Sequence, residues 1–257
     1  AQLDHPLIYG WGADCGEYEF AKGASEGGGS VVASDFSSNL SVLARVEGAP
    51  VTGNTSVGNP QVEEGVHYVA FLMSDGDNIQ FLQNAFDHER WWGSPERGNF
   101  EMNWEVSPIL PQVAPSILTW LYETATDLDS AVAGPSGAGY AFPSLHSDAL
   151  ALAAATGNAM AESDMRVVTI LDSQGGLEAG DAFVAQPNIS GVIYKDFADY
   201  NAFGQKLRWA YGKPIMSIRY LLWNNGAYED SPQGVAEGLN TSPKNPTTDI
   251  RSYSIVN

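Results

Sequence analysis

The sequence predicts an α/β fold, a (β/α)8 barrel-like domain with irregular early crossovers. Three observations lead there. From about residue 66 onward, apolar, β-branched or aromatic runs alternate with helical stretches, the order that a parallel sheet with right-handed crossovers requires. Eight runs in all read as strands. The length, 257 residues, is close to the roughly 250 that such barrels use. An open doubly wound sheet is the competitor. It lacks its dinucleotide fingerprint, because Gly137-Ala138-Gly139 runs into Tyr140-Ala141-Phe142 with no third glycine.

Each element has its own signal. Leu7 to Trp11 and Ser30 to Ala33 read as the first two strands. Gly27-Gly28-Gly29 and the stretch 48–60 are loop-like, and neither early gap shows an amphipathic helix. His67 to Met73 is an apolar run that predicts a buried strand, followed by a helix over 78–89 with Ile79, Phe81, Leu82, Ala85 and Phe86 as its apolar side. Phe100 to Val106 is the fourth strand, and 114–126 its helix, with Ile117, Leu118 and Leu121 on one face. Ala131 to Ala133 precedes a glycine-rich loop and an alanine-rich helix over 147–161. Arg166 to Leu171, Gly191 to Tyr194 and Pro214 to Arg219 complete the strands, with short helices over 179–185 and 200–211. No boundary divides 1–257, which reads as one domain; 229–257, rich in Pro, Asn, Ser and Thr, is expected to pack over its surface as a C-terminal tail.

Composition bounds the function. With 31 acidic and 12 basic side chains the formal net charge is −19, a surface that repels phosphate backbones, so nucleic acid is excluded as a partner. The apolar run 149–155 is far too short to span a bilayer. One cysteine excludes an internal disulfide and any multi-cysteine zinc site. The chain opens at Ala1 without a starting Met or signal peptide, as expected of a processed form or a fragment; the acidity fits a saline habitat, a divalent-cation site or an exported protein, and the expected setting is extracellular or cell-surface.

In a parallel barrel, chemistry sits where strands end. Polar residues recur at those points: Asp14 and Glu17 after the first strand, Asp35 after the second, Asp75, Asp77 and Asn78 after the third. Glu105 lies in the fourth, Ser136 and Tyr140 follow the fifth, Asp172 the sixth, Lys195 the seventh and Arg219 the eighth. One such residue is ordinary; eight in succession predict a lined cleft. Ser74-Asp75-Gly76-Asp77-Asn78 is the densest cluster. Its carboxylates suit sugar hydroxyls, acid/base work or a hard cation such as calcium, although the segment departs from an EF-hand loop. The structural reading is a helix N-cap on a glycine turn. Glu105 sits in an otherwise buried run, so it is either a raised-pKa general acid or the partner of Arg97, Arg219 or Lys195. Trp91 and Trp92, before Gly93-Ser94-Pro95, are loop candidates for stacking on a sugar, whereas Trp120 and Trp209 fall on helical faces and read as core.

Gly134 to Pro143 is the most distinctive segment. It is neither a nucleophile elbow, since Ala138 stands where glycine is needed, nor a P-loop. No His-Glu-x-x-His is present, Cys15 lies among anions that oppose a thiolate, and Ser136 lacks a nearby histidine other than His146. Gly137-Ala138-Gly139-Tyr140-Ala141-Phe142-Pro143 resembles the GxGYxYP signature with Phe142 in place of the second Tyr. Together with Ser74 to Asn78, Trp104 to Pro108 and Gly212-Lys213-Pro214 leading to Arg219-Tyr220, it makes most of 5–225 similar to the C-terminal domain of the GxGYxYP putative glycoside hydrolase family. The resemblance implies a carbohydrate-processing role and carries no agreed catalytic pair.

The expectation is therefore a domain that binds and hydrolyses a glycan. Glu105 would be the general acid and Asp75 or Asp77 the base or nucleophile. Asp172, Lys195 and Arg219 would position hydroxyls or an acidic substituent, and Asp14, Asp35, Asn78, Ser136, Tyr140, Trp91 and Trp92 would contribute to binding. No cofactor is required, with calcium at Asp75 and Asp77 as an option. The alternative is a non-catalytic glycan-binding or self-associating surface protein on an enzyme-like scaffold.

Overall fold

The computed structural model describes residues 5–12, 14–52, 61–222 and 230–257; residues 53–60 of the expected 48–60 loop, and Trp223, lie outside them. Ten strands are described: β1 (Leu7–Tyr9), β2 (Ser30–Val32), β3 (Tyr68–Met73), β4 (Met102–Val106), β5 (Asp129–Ala133), β6 (Val167–Asp172), β7 (Gly191–Asp196), β8 (Leu207–Ala210), β9 (Lys213–Ser217) and β10 (Tyr253–Val256). The helices are α1 (Gly16–Glu26), α2 (Leu40–Leu43), α3 (Ile79–Asn84), α4 (Leu110–Val113), α5 (Pro115–Thr124), α6 (Ala149–Glu162), α7 (Asp181–Val184) and α8 (Pro232–Asn240).

Eight strands form one sheet in the order β10-β3-β4-β5-β6-β7-β9-β8, parallel except for the β8–β9 pair. The sheet curls into a half-barrel. The chain beyond β9 returns toward the opposite edge, where Arg219 N–H donates to the Ile255 carbonyl at 2.9 Å and Leu222 N–H to that of Asn257 at 2.7 Å. Leu72, Val132, Ile218, Leu221 and Ile255 fill the concave side. The larger core lies on the convex side, where Val106, Val168 and Ile170 pack with Leu118 and Leu121 of α5 and with Leu152 and Met160 of α6.

Local chemistry explains the helices that the sequence locates. Asn78 caps α3, its Oδ1 accepting Phe81 N–H at 3.2 Å. Asp148 caps α6 by accepting Ala151 N–H at 2.9 Å, and Pro115 occupies the first turn of α5, where its missing N–H costs nothing.

The eight-unit barrel is corrected in its membership. β1 and β2 pair only with each other, Leu7 opposite Ser30 and Tyr9 opposite Val32, and meet the larger body through a bridge between Val31 and Tyr140. Their places are taken by two strands that the sequence hides. The 200–211 stretch is not a helix: Leu207–Ala210 is β8, turned back into β9 by Tyr211-Gly212, both at positive φ (50° and 72°) as a two-residue hairpin requires. Trp209, expected in the core, is 63% exposed on that strand. The expected tail supplies α8, capped by Ser231, and the edge strand β10, with Val256 only 1% exposed. Nor is the first gap without a helix. α1 spans it, and only Ala21, Ala24 and Ser25 are buried there, so small side chains replace the large apolar stripe that periodicity detects.

At the N-terminal end of β5, on the side of the sheet opposite the cavity mouth, Asp129 is 1% exposed and fully engaged. Arg97 pairs with it at 2.7 Å, the Trp104 indole donates at 2.8 Å, and Thr126 donates through N–H and hydroxyl at 2.9 and 2.8 Å. Burial alone would raise the carboxyl; the Thr126, Trp104 and Arg97 hydrogen bonds outweigh it and hold Asp129 below the usual range. Because the folded value is depressed, ionised Asp129 stabilises the fold above the ordinary carboxylate range, and that contribution fades as pH falls through the folded value. Asp129→Asn should lower unfolding free energy by about 2–3 kcal/mol in denaturant titrations at neutral pH and weaken the loss of stability on acidification. An unchanged midpoint would remove this network from the account.

Candidate functional site

A cavity of about 720 Å³ opens at the C-terminal ends of the parallel strands, the place where such sheets leave side chains and backbone ends unpaired. Its floor comes from the half-barrel: Leu72, Met73 and the 74–78 turn after β3, Lys195 of β7, Tyr200, and Val256 and Asn257 at the end of β10. Its other wall comes from the small β1–β2 unit and α1, through Trp11, Glu17, Ala33, Asp35 and Phe36.

Beneath the floor lies an ion pair between Glu105 and Lys195, each 1% exposed. Lys195 Nζ contacts Glu105 Oε1 and stands 5.5 Å from the centroid of the Tyr200 ring. The second carboxylate oxygen, Oε2, accepts the Asp75 N–H at 3.1 Å. Asp75 thereby holds a positive φ of 80°, uncommon for a side chain with a Cβ. The next residue must be glycine for a separate reason. A Cβ on Gly76 would sit 1.7 Å from the Glu105 carbonyl oxygen, so the turn lies directly against the β4 backbone.

The two turn carboxyls are both perturbed. Asp75 keeps an exposed edge, but the cleft walls strip water from it and push its carboxyl up to about 6, with the nearby Glu105 charge adding to the effect and Lys195 opposing it. Asp77 is pushed well above the usual range, first by burial and then by the charges of Asp75 and Glu105. Tyr140 donates its hydroxyl to Glu17 Oε1 at 3.0 Å, and burial together with that anion raises the phenol. Trp11 lies nearly parallel to Tyr140, their ring centroids 6.0 Å apart. Trp91 stands edge-on to Phe81 at 5.6 Å. The wall thus offers carboxyl groups at two protonation tendencies beside flat aromatic faces.

Of the residues singled out from sequence, Glu17, Asp35, Asp75, Asp77, Asn78, Tyr140, Lys195 and Trp91 meet at this cavity. Glu105 does not reach its wall; both its oxygens are engaged below. Asp14 is exposed away from the lining. Ser136 is buried, its hydroxyl 2.7 Å from the Ala141 carbonyl while accepting Leu171 N–H at 3.1 Å, which ties the glycine segment to β6. Asp172 is likewise internal, accepting N–H groups of Ser144 and Gly175 at 2.8 and 3.1 Å. Arg219 donates to the hydroxyls of Ser242 and Ser254 at 2.9 and 3.3 Å. Trp92 is core, its indole bonded to Thr124 and its ring covered by Arg97. Sequence reasoning missed Tyr200, Phe36 and Asn257. The last follows the alternating run Tyr253–Val256, which was the available sign of a strand end. Among the described residues, no group of three or more His, Cys, Asp or Glu side chains is placed to hold a metal ion.

Comparison with curated proteins finds no match. Among solved structures, a crystal structure described as a putative hydrolase from Bacteroides thetaiotaomicron VPI-5482 is similar, with a TM-score of 0.87 and 29% identity over 97% of this chain. The chain spans 49% of that protein's length. Residues 65–256, which carry β3 to β10 and all of the cavity floor but Asn257, match the family model described as GxGYxYP putative glycoside hydrolase C-terminal domain, and the chain belongs to that family.

Proposed function

We propose that the cleft binds a glycan and hydrolyses a glycosidic bond, with Asp77 as general acid and Asp75 as base or nucleophile. The observation that carries the reading is two neighbouring carboxyls on one cleft wall, Asp75 with an exposed edge and Asp77 more enclosed, both raised by burial and by nearby acidic charge. Such a coupled pair gives up its protons in two steps, and burial favours the more enclosed Asp77 as the member that keeps one. Its proton goes to the glycosidic oxygen as the bond to the anomeric carbon breaks. Ionised Asp75 either attacks that carbon or takes a proton from the attacking water. In this reading Asn78 and Asp35, on the cavity lining, receive sugar hydroxyls, and Trp11, Tyr140 and Trp91 meet C–H faces. Membership of a family described as putative glycoside hydrolases, and similarity to a structure described as a putative hydrolase, support the same chemistry. Glu105, expected as the acid, becomes a positioning residue, since its oxygens hold Lys195 and the Asp75 N–H. An extracellular or cell-surface setting suits this substrate, and no helix among the described residues is long and apolar enough to cross a membrane.

A second reading, glycan binding or surface assembly without turnover, draws on one observation. Asp75 and Asp77 leave the same short turn, while the opposite wall's Glu17 is engaged by Tyr140.

Reducing-end release across a broad polysaccharide panel separates the two readings. Wild type should release ends, and Asp77→Asn and Asp75→Asn, folded by circular dichroism, should each lose about 10²–10⁴-fold in turnover. Undiminished release by Asp77→Asn contradicts the assignment; polysaccharide retention without release favours binding alone. The pH profile gives a further check. Activity should rise as pH climbs through about 6, where Asp75 ionises. In Glu105→Gln this limb should move to lower pH, because one charge that raises Asp75 is gone while the Lys195 ammonium remains. A folded Glu105→Gln protein silent at every pH would return Glu105 to the role of acid. If that variant fails to fold, Glu105→Gln combined with Lys195→Met removes the unpaired buried ammonium and keeps the profile measurable.

A further inference from the structure

The cleft is acidic, and its cation is already taken. Glu17, Asp35, Asp75 and Asp77 stand on its wall, and among the described residues Lys195 is the only Lys or Arg that lines it. Residues 1–4, 13, 53–60 and 223–229 contain no Lys or Arg at all, so none of those segments can add one. The Lys195 ammonium is paired with Glu105 and buried, which leaves that couple without net charge. Arg219, the other cation that follows a strand, is spent on the Ser242 and Ser254 hydroxyls and lies 4.7 Å over the Tyr220 ring.

We infer that the cleft takes glycans whose units carry no carboxylate or sulfate, and that it turns acidic polysaccharides away; the inference rests on the glycan reading above. Recognition of an acidic substituent in a partly desolvated cleft needs an arginine fork or an unpaired ammonium, and the wall holds neither. What it holds matches an uncharged sugar. Carboxylates accept hydroxyl protons, and Trp11, Tyr140 and Trp91 present ring faces and edges to C–H groups. With Asp77 protonated, the remaining acids still repel an incoming anion, and the overall charge of −19 discourages its approach. On this inference Lys195 and Arg219, expected to position hydroxyls or an acidic substituent, do not hold the acidic substituent.

Affinity electrophoresis and reducing-end assays on one panel test this. The panel contains galactomannan, mixed-linkage glucan, arabinan and chitin oligosaccharides as uncharged members, with polygalacturonate, alginate and chondroitin sulfate as acidic ones. Some uncharged member should be bound or cleaved, and every acidic member should be at least about tenfold weaker at low salt. Asp35→Lys, a change at an exposed rim position, should narrow that gap, and added salt should narrow it in wild type by screening. An acidic polysaccharide bound or cleaved as well as any uncharged one overturns the inference and leaves the glycan reading intact. A folded protein that neither binds nor cleaves any member counts against the glycan reading, and the inference falls with it.

Discussion

A buried pair between Glu105 of β4 and Lys195 of β7 fixes much of what surrounds it. Two strands, β5 and β6, separate these partners in the sheet order, so their side chains can meet only across the concave side of a strongly curled sheet. Taking both charges out of water costs several kcal/mol each, about what a good geometry returns. Such a pair therefore contributes less to stability than to specifying one arrangement. Glu105's second oxygen then captures the Asp75 N–H, and the glycine that follows lets the turn lie against β4. Site geometry and sheet curvature are thus set by the same side chains.

The cleft needs a second body to become a cleft. β1, β2 and α1 provide it, and Tyr140 is the joint: its backbone pairs with Val31, its ring faces Trp11 and its hydroxyl donates to Glu17. The signature segment around it is structural in large part. A Cβ on Gly139, which has a φ of 98°, would come within 2.7 Å of the Ser30 Cβ, so the segment runs flush against β2. Phe142, in the place of the signature's second tyrosine, is fully buried among Tyr18, Tyr140 and Phe197. A ring fits there without a hydroxyl partner, which explains why the substitution is compatible with the fold.

Strand positions from β3 to β7 were legible because each carries an apolar, β-branched or aromatic run before a polar end, and the polar ends located most of the cleft's charged groups. Asp75, Asp77, Asn78 and Lys195 were found by that rule alone. The rule failed where a polar residue after a strand turns inward to satisfy backbone. Asp172 and Ser136 do this, and no local pattern distinguishes them from Asp77. Glu105 was correctly read as buried and in need of a partner; which of three cations it meets depends on sheet curvature, a long-range property. β10 was hidden by the polar composition of 229–257, and α1 by a buried face made only of small residues. β8 was hidden by apolar spacing that suits a helix as well as a strand, with Tyr211-Gly212 as the overlooked turn signal.

The central claim is that a neutralised ion pair and an enclosing cleft give two adjacent carboxyls unequal proton affinities. Carboxyl-detected NMR titration of selectively labelled aspartates in the intact protein measures this directly. One turn carboxyl, Asp75, should titrate near 6, and Asp77 should retain its proton to higher pH, with each resonance sensing the other's transition. Two independent transitions near the ordinary aspartate value, about 3.9, would contradict that claim.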